Sequence, residues 1–321
     1  MKRIGLVIGI VFCILLGALF FTGCTTTAPQ SSATQTTVAA AVPGTPQATP
    51  ETTIPTPVAT TALPTTAAGT VTTTPAPSYT PSEKTLIVYA AASLKGVSKE
   101  LGSKFSAMYP GHTVTFNLDG TQALKTQVEN GAYADVFISA SNSYTKTLQT
   151  EGYFVNSTVK PLTSNYVIVI LPASNPGKIK SLSDLGTPGK KIAMAAYSVP
   201  VGTATYAALS NLAKSTYGAD WNASVFRNVV TYETSEPGVA TKVSLGEVDA
   251  GFVYESTYTA ALANTLTAIN IPKTDNYLQT YSIAVMKETG NTGVAQEFED
   301  FMLTPSLGQQ ILKDYGFRPV S

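Results

Sequence analysis

Hydroxyl groups and small residues recur in this chain wherever an apolar, β-prone run gives way to a helical repeat, and those junctions are where chemistry can be read. Ser93 follows Ala90, Ala91 and Ala92; Thr121 follows Asp119-Gly120; Ser198 and Thr203 flank Val199-Pro200-Val201-Gly202; Ser235 precedes Glu236-Pro237. Each junction sets a hydroxyl beside the first turn of a helix, where N–H groups lack intrahelical acceptors and the dipole end is positive. Four such turns together would make an oxyanion cage. The same residue types are the preferred helix caps, so residue types alone leave two readings open: a cage, or ordinary strand-to-helix turns. One more hydroxyl, that of Tyr254, ends the run DAGFVY.

Competing chemistries find little material. The chain has one histidine and two cysteines. A Ser-His-Asp triad or a histidine metal site would have to use His112, which follows Pro110-Gly111 and reads as a surface residue at a strand start. Cys13 and Cys24 both precede the folded part, so no disulfide and no cysteine-held metal is expected there. Twenty basic residues balance twenty acidic ones, which gives no sign of nucleic-acid binding. Lys95 beside Ser93 is expected to point along its helix into solvent, and Trp221 to be a packing residue near a domain edge. Residues 156–158 and 222–224 match the acceptor pattern for N-glycosylation.

The elements that must position the hydroxyls follow from periodicity. Residues 86–89 predict a strand, and Leu94, Val97, Leu101, Phe105 and Met108, at steps of three and four, predict the buried stripe of a helix with Ser93 at its N-cap. Further strands are predicted at 112–118, 135–140, 166–171, 191–196, 229–232, 249–254 and 281–286. Helices are expected after Gly120, through Leu148, through Tyr206, Leu209 and Leu212, after Ser235, and over 294–302 and 306–313. Alternating strands and helices argue an α/β body with mostly parallel sheet, and ligands in such sheets bind beyond the carboxyl ends of strands.

Ahead of the body, Lys2 and Arg3 precede an uncharged apolar run over 4–21 and then Thr22-Gly23-Cys24. This has the form of an export signal. Gly23-Cys24 resembles a lipoprotein lipobox, with Cys24 as the lipid attachment point; an uncleaved membrane anchor is the other reading, since the run is long enough to span a bilayer. Residues 25–81 are Thr, Ala, Pro and Ser with almost no charge, a composition that predicts a disordered stalk.

Five segments, YAAASL, GTQALKTQVENGAYADVFISAS, SVPVGTATYAAL, KVSLGEVDAGFVY and ILKDYGF, together resemble the ModA-like molybdate- and tungstate-binding proteins of ABC importers. The resemblance implies the two-domain type II periplasmic-binding-protein fold, with the chain crossing twice between domains and an anion held in the cleft. Domain I would comprise 84–165 plus 278–321, and domain II 166–277. Position by position, Ser93 matches the family's first serine ligand, and Thr121 stands where the family carries serine in a Gly-Ser motif. Val201 matches a backbone N–H ligand, and Tyr254 the hydroxyl that closes on the anion. The last backbone position falls at Ser235-Glu236, where the family has an Asn-Val-Arg type segment. Either Glu236 turns its side chain away from the dianion and lends only its N–H, or the alignment shifts locally by a residue or more.

The implied protein captures molybdate or tungstate outside the cytoplasm and delivers it to an ABC permease and its ATPase. It would use no cofactor and no catalytic residue, act as a monomer, and be held at the outer face of the cytoplasmic membrane by lipid or helix. Two alternatives stand beside it. One is a protein of the same fold for sulfate, phosphate or a small organic acid, although a carboxylate binder should present an Arg and none lies in the four turns. The other is a cell-surface hydrolase, which needs a nucleophile–base pair.

Overall fold

The computed structural model describes residues 79–80, 82–258 and 265–319. The export-signal reading, Cys24 and residues 25–78 of the stalk lie outside the described residues. Tyr79, counted with the stalk above, packs edge-on against Tyr89 at a ring distance of 6.1 Å, so the body extends at least to that residue.

In chain order the elements are β1 (Thr85–Ala91), α1 (Lys95–Met108), β2 (Thr113–Asp119), α2 (Thr121–Glu129), β3 (Val136–Ser139), α3 (Asn142–Thr150) and β4 (Lys160–Pro172). Then come β5 (Ile192–Ala195), α4 (Pro200–Leu212), α5 (Ala219–Arg227), β6 (Val229–Glu233), α6 (Glu236–Ser244) and β7 (Ala250–Tyr254). The chain ends with β8 (Leu266–Asn270), β9 (Leu278–Val285), α7 (Thr292–Leu303) and α8 (Gly308–Asp314). Strand order is β2-β1-β3-β9-β4-β7-β5-β6, with β8 paired to β4.

Period-two alternation in β1 explains why helices cover both faces of the first half-sheet. Leu86, Val88 and Ala90 belong to one buried cluster with Leu94, Leu101, Phe105 and Phe298. Ile87 and Tyr89 belong to another, with Leu124, Val128, Phe137 and Leu148. A strand buried on both faces reads as a continuous apolar run, and LIVYAA is one. Within the first cluster Phe105 meets Phe298 edge-on at 5.1 Å.

The sheet is mixed rather than mostly parallel. β1 pairs parallel with β2 and β3, and β5 with β6 and β7, but β9 and β4 are antiparallel to their neighbours. The reason is connectivity. β4 leaves one half of the sheet and β9 returns to it, so two strands making the same passage in opposite senses must run antiparallel. β4 spans 13 residues, starting well before the predicted residue 166: its first part pairs with β9 and its second with β7 and β8. Strand β8 and helix α5, which carries Trp221, add to the elements predicted. Among the described residues, no helix is long and apolar enough to cross a membrane.

Met108 is a further correction, being 45% exposed. It sits at the last turn of α1, and the next residue, Tyr109, takes the expected place by stacking on Phe105 at 4.6 Å. His112 is half-buried, and its Nδ1 is enclosed without a hydrogen-bond partner.

Asp135 fastens the first half together. Its Oδ2 accepts the Ile87 N–H at 2.7 Å, while Oδ1 accepts the hydroxyls of Tyr133 and Thr289. Asp135→Ala strands several buried donors at about 1–3 kcal/mol each, so urea unfolding should show a loss of at least about 3 kcal/mol; an unchanged midpoint would refute this role.

Candidate functional site

The turn after β1 departs from the predicted cap. Ala92–Leu94 forms a 3₁₀ turn and α1 begins only at Lys95, with Leu94 at its N-cap and no side-chain cap bond. Ser93 therefore caps nothing. Its Oγ lies 2.8 Å from the phenolic oxygen of Tyr281 on β9. If the Tyr281 hydroxyl donates to Ser93, the Ser93 proton is left to point elsewhere. Lys95 is exposed, as expected.

The turn after β2 is built around Gly120, the N-cap of α2, and Thr121, the first helical residue and only 1% exposed. Thr121 Oγ1 accepts the Ala140 N–H at 3.1 Å, which leaves its own O–H to donate. The turn after β5 enters α4 through Pro200, whose missing N–H costs nothing at a helix start. Gly202 is required there by space: a Cβ would come within 2.0 Å of the Ala196 carbonyl oxygen. Val201, in the same first turn, is buried, and its N–H is one of those without an intrahelical acceptor.

The turn after β6 encloses Glu236. Ser235 occupies the N-cap of α6 but makes no side-chain cap bond, and Pro237 sits in the first turn. Glu236 does not turn its side chain out to solvent; it is 3% exposed. Its Oε1 accepts the Tyr254 N–H at 2.9 Å and the Thr257 hydroxyl, while Oε2 is enclosed with no protein partner. The carboxyl closes the end of β7, and proline at the second helical position suits this entry.

One small cavity gathers these turns. Ser93, Thr121, Val201, Glu236 and Tyr254 all line it, together with Ala91, Ala92, Gly120, Ala140, Val199 and Pro200. None of these residues is Lys, Arg or His. The cavity measures about 10 Å³, room for the centre of roughly one water-sized sphere. Tyr254 is 1% exposed and its hydroxyl has no protein partner. Burial pushes the phenols of Tyr254 and Tyr281 well above their ordinary range, so both remain neutral O–H groups. Two exposed hydrogen bonds join distant segments: Gln122 Nε2 donates to the Thr234 carbonyl at 2.8 Å, and the Tyr144 hydroxyl to the Ser198 carbonyl at 2.7 Å.

A wider cavity of about 420 Å³ adjoins the first and shares Ala92, Ser93 and Glu236 with it; Lys95, Pro237, Leu245 and Thr257 line the rest. Glu236 thus stands in the wall between the two. His112 lies at the opposite end of β2 from Thr121, about 20 Å away by strand rise, so it cannot serve as a base at this cavity. Among the described residues, no group of three or more His, Cys, Asp or Glu could hold a metal ion. Trp221 packs on Tyr217 at 4.5 Å and donates from Nε1 to the Ser183 carbonyl.

Sequence reasoning missed Tyr281 and Thr257. A tyrosine inside an otherwise apolar strand must find a partner for its hydroxyl, and that signal was present in YSIAVM. Nothing local marked Thr257, which reaches Glu236 only through the fold.

A family model described as bacterial extracellular solute-binding protein matches residues 86–318. The chain is 32% identical over 238 residues to the molybdate-binding protein ModA of Mycobacterium tuberculosis, covering 74% of this chain and 86% of that one. In structure it resembles the periplasmic molybdate-binding protein of Azotobacter vinelandii, with a TM-score of 0.64 and 21% identity over 74% of this chain and all of the other. It also resembles the sulfate-binding protein SubI of Mycobacterium tuberculosis, with a TM-score of 0.65 and 20% identity over 74% and 88%. At those identities the two structures are alike in fold.

Burial raises the Glu236 carboxyl to about 7, against the lowering effect of the Thr257 hydroxyl and the Tyr254 N–H. A carboxyl whose folded value lies above its unfolded one holds its proton better when folded. Its contribution is present below the unfolded value near 4.5 and is lost as pH rises to about 7. Unfolding free energy should therefore fall by about 3 kcal/mol across that window. Glu236→Gln should flatten this dependence in urea titrations at the two ends, and an equal slope in the variant would remove Glu236 as its source.

Proposed function

The chain belongs to the family of bacterial extracellular solute-binding proteins, and from that premise we propose that it captures molybdate or tungstate outside the cytoplasm and hands it to an ABC permease with its ATPase. The observation that carries this reading is the convergence of Ser93, Thr121, Val201, Glu236 and Tyr254, from separate strand ends, on one buried cavity that no cation lines. Hydroxyl and backbone N–H donors stabilise a dianion through charge-assisted hydrogen bonds, each worth about 1.5–3 kcal/mol. Neutral donors also suit delivery, because opening the cleft removes most of the hold at once. The 32% identity to the mycobacterial molybdate-binding protein supports molybdate over sulfate.

The protein acts as a two-lobe clamp, with lobe I formed by residues 84–165 and 278–321 and lobe II by 166–277. The pairing register supports this division, since Asn165 faces Gln279 and Tyr166 faces Leu278 at the passage between the halves. Closure is a hinge motion at those two strands, and the Gln122–Thr234 and Tyr144–Ser198 bonds are its latches. It needs no cofactor and performs no catalysis, works as a monomer, and is tethered at the outer face of the membrane through Cys24 or the apolar run at 4–21.

Calorimetric titration of the purified chain tests this. Molybdate and tungstate should bind much more tightly than sulfate or phosphate, and sulfate binding of equal strength would overturn the assignment. Ser93→Ala and Thr121→Val each remove one hydroxyl donor and should raise the dissociation constant roughly ten- to a hundredfold. Ser93 caps no helix, so Ser93→Ala should cost stability only through the lost bond to the buried Tyr281 hydroxyl, about 1–3 kcal/mol; wild-type affinity in both variants would place the anion elsewhere.

A further inference from the structure

Resting on the oxyanion reading, we propose that Glu236 Oε2 holds a proton when the anion is bound and donates it in a hydrogen bond to one anion oxygen, so that capture of a dianion is linked to uptake of one proton. The geometry leaves that oxygen little else to do. Oε1 is committed to the Tyr254 N–H and the Thr257 hydroxyl, so the carboxyl is oriented by two donors on the same side. Oε2 is enclosed, has no protein partner, and belongs to a residue that lines the anion cavity. An ionised carboxylate there would offer only lone pairs to a dianion that also offers only lone pairs, and in a buried site that repulsion is not screened. A carboxylic acid offers an O–H instead.

The surroundings favour the acid form. From β7, Glu236 meets Tyr254; from β9, Tyr281 faces it; both are neutral phenols. Lys95, at the start of α1, lines the wider cavity that Glu236 also borders. Glu233 on β6 lies against the same helix at Gly238 and is bonded to Thr231. Strand β5 brings no titratable side chain, while Lys160 and Tyr166 of β4 are engaged with Glu299 and with Lys273 and Arg318. No cation is therefore bonded to the carboxyl to hold it ionised, and burial already raises it to about 7. The position in the wall supplies the route: a proton can arrive from the wider cavity while the anion side stays closed. The balance is simple. The carboxylate takes one proton from solvent, the carboxylic acid forms one hydrogen bond to the dianion, and opening the cleft reverses both.

Molybdate affinity of the whole chain should be measured by calorimetry between about pH 6 and pH 9, where the anion keeps its charge. Above the titration of Glu236 the dissociation constant should rise about tenfold per pH unit, and heats in two buffers of unlike ionisation enthalpy should report about one proton taken up per anion. Glu236→Gln keeps the shape and an N–H donor, so it should bind with a pH-independent affinity. A flat wild-type profile, zero proton uptake, or an unchanged slope in the variant would overturn the proposal; should the variant not fold, the two-buffer measurement on the unaltered protein decides. If neither molybdate, tungstate, sulfate nor phosphate binds at any pH, the oxyanion reading falls and this inference with it. Binding without pH dependence sinks the proton linkage alone.

Discussion

Hydroxyl and backbone N–H groups gathered around one small buried cavity organise this structure. A donor withdrawn from water without a partner costs about 1–3 kcal/mol, so a fold that collects several such groups needs a compensating acceptor. Helix starts supply backbone N–H groups by their nature. What the fold adds is coincidence in space: the ends of β1, β2, β5, β6 and β7 reach one cavity, where Thr121 Oγ1 accepts the Ala140 N–H and keeps its own proton to donate, and the Tyr254 hydroxyl has no protein partner.

Absence of Lys and Arg from the cavity wall has a consequence for the whole mechanism. A guanidinium would hold a dianion strongly even in a half-open cleft, whereas dipoles act over short range and only when aligned. Recognition by dipoles ties affinity to closure. Against that background a buried glutamate is the one departure: two donors fix one of its oxygens, and burial favours the protonated form.

In the proposed two-lobe clamp, β4 and the start of β9 are the passage about which the halves would close. At the passage Asn165 of β4 donates from Nδ2 to Ser256 Oγ, and Asn276, just before β9, donates from Nδ2 to the Val167 carbonyl of β4. One continuous buried cluster reaches from Phe105 to Phe252, so apolar packing runs through both halves of the sheet.

Much of this was legible in the sequence because it is local. The apolar run of β1, the three- and four-residue steps of α1, and the small residues before each helix are consequences of backbone geometry, and they located the turns to within a few residues. Resemblance across five segments then pointed to Ser93, Thr121, Val201, Glu236 and Tyr254, which the fold brings to one cavity. Tertiary structure alone decided the rest. Whether Ser93 capped a helix depended on a 3₁₀ turn and on Tyr281, 188 residues away. Whether Glu236 faced out or in depended on Tyr254 and Thr257 at the end of another strand. Periodicity records which face of an element is apolar, but the partner of a buried polar atom is fixed by the packing of elements distant in the chain, and no local pattern encodes that.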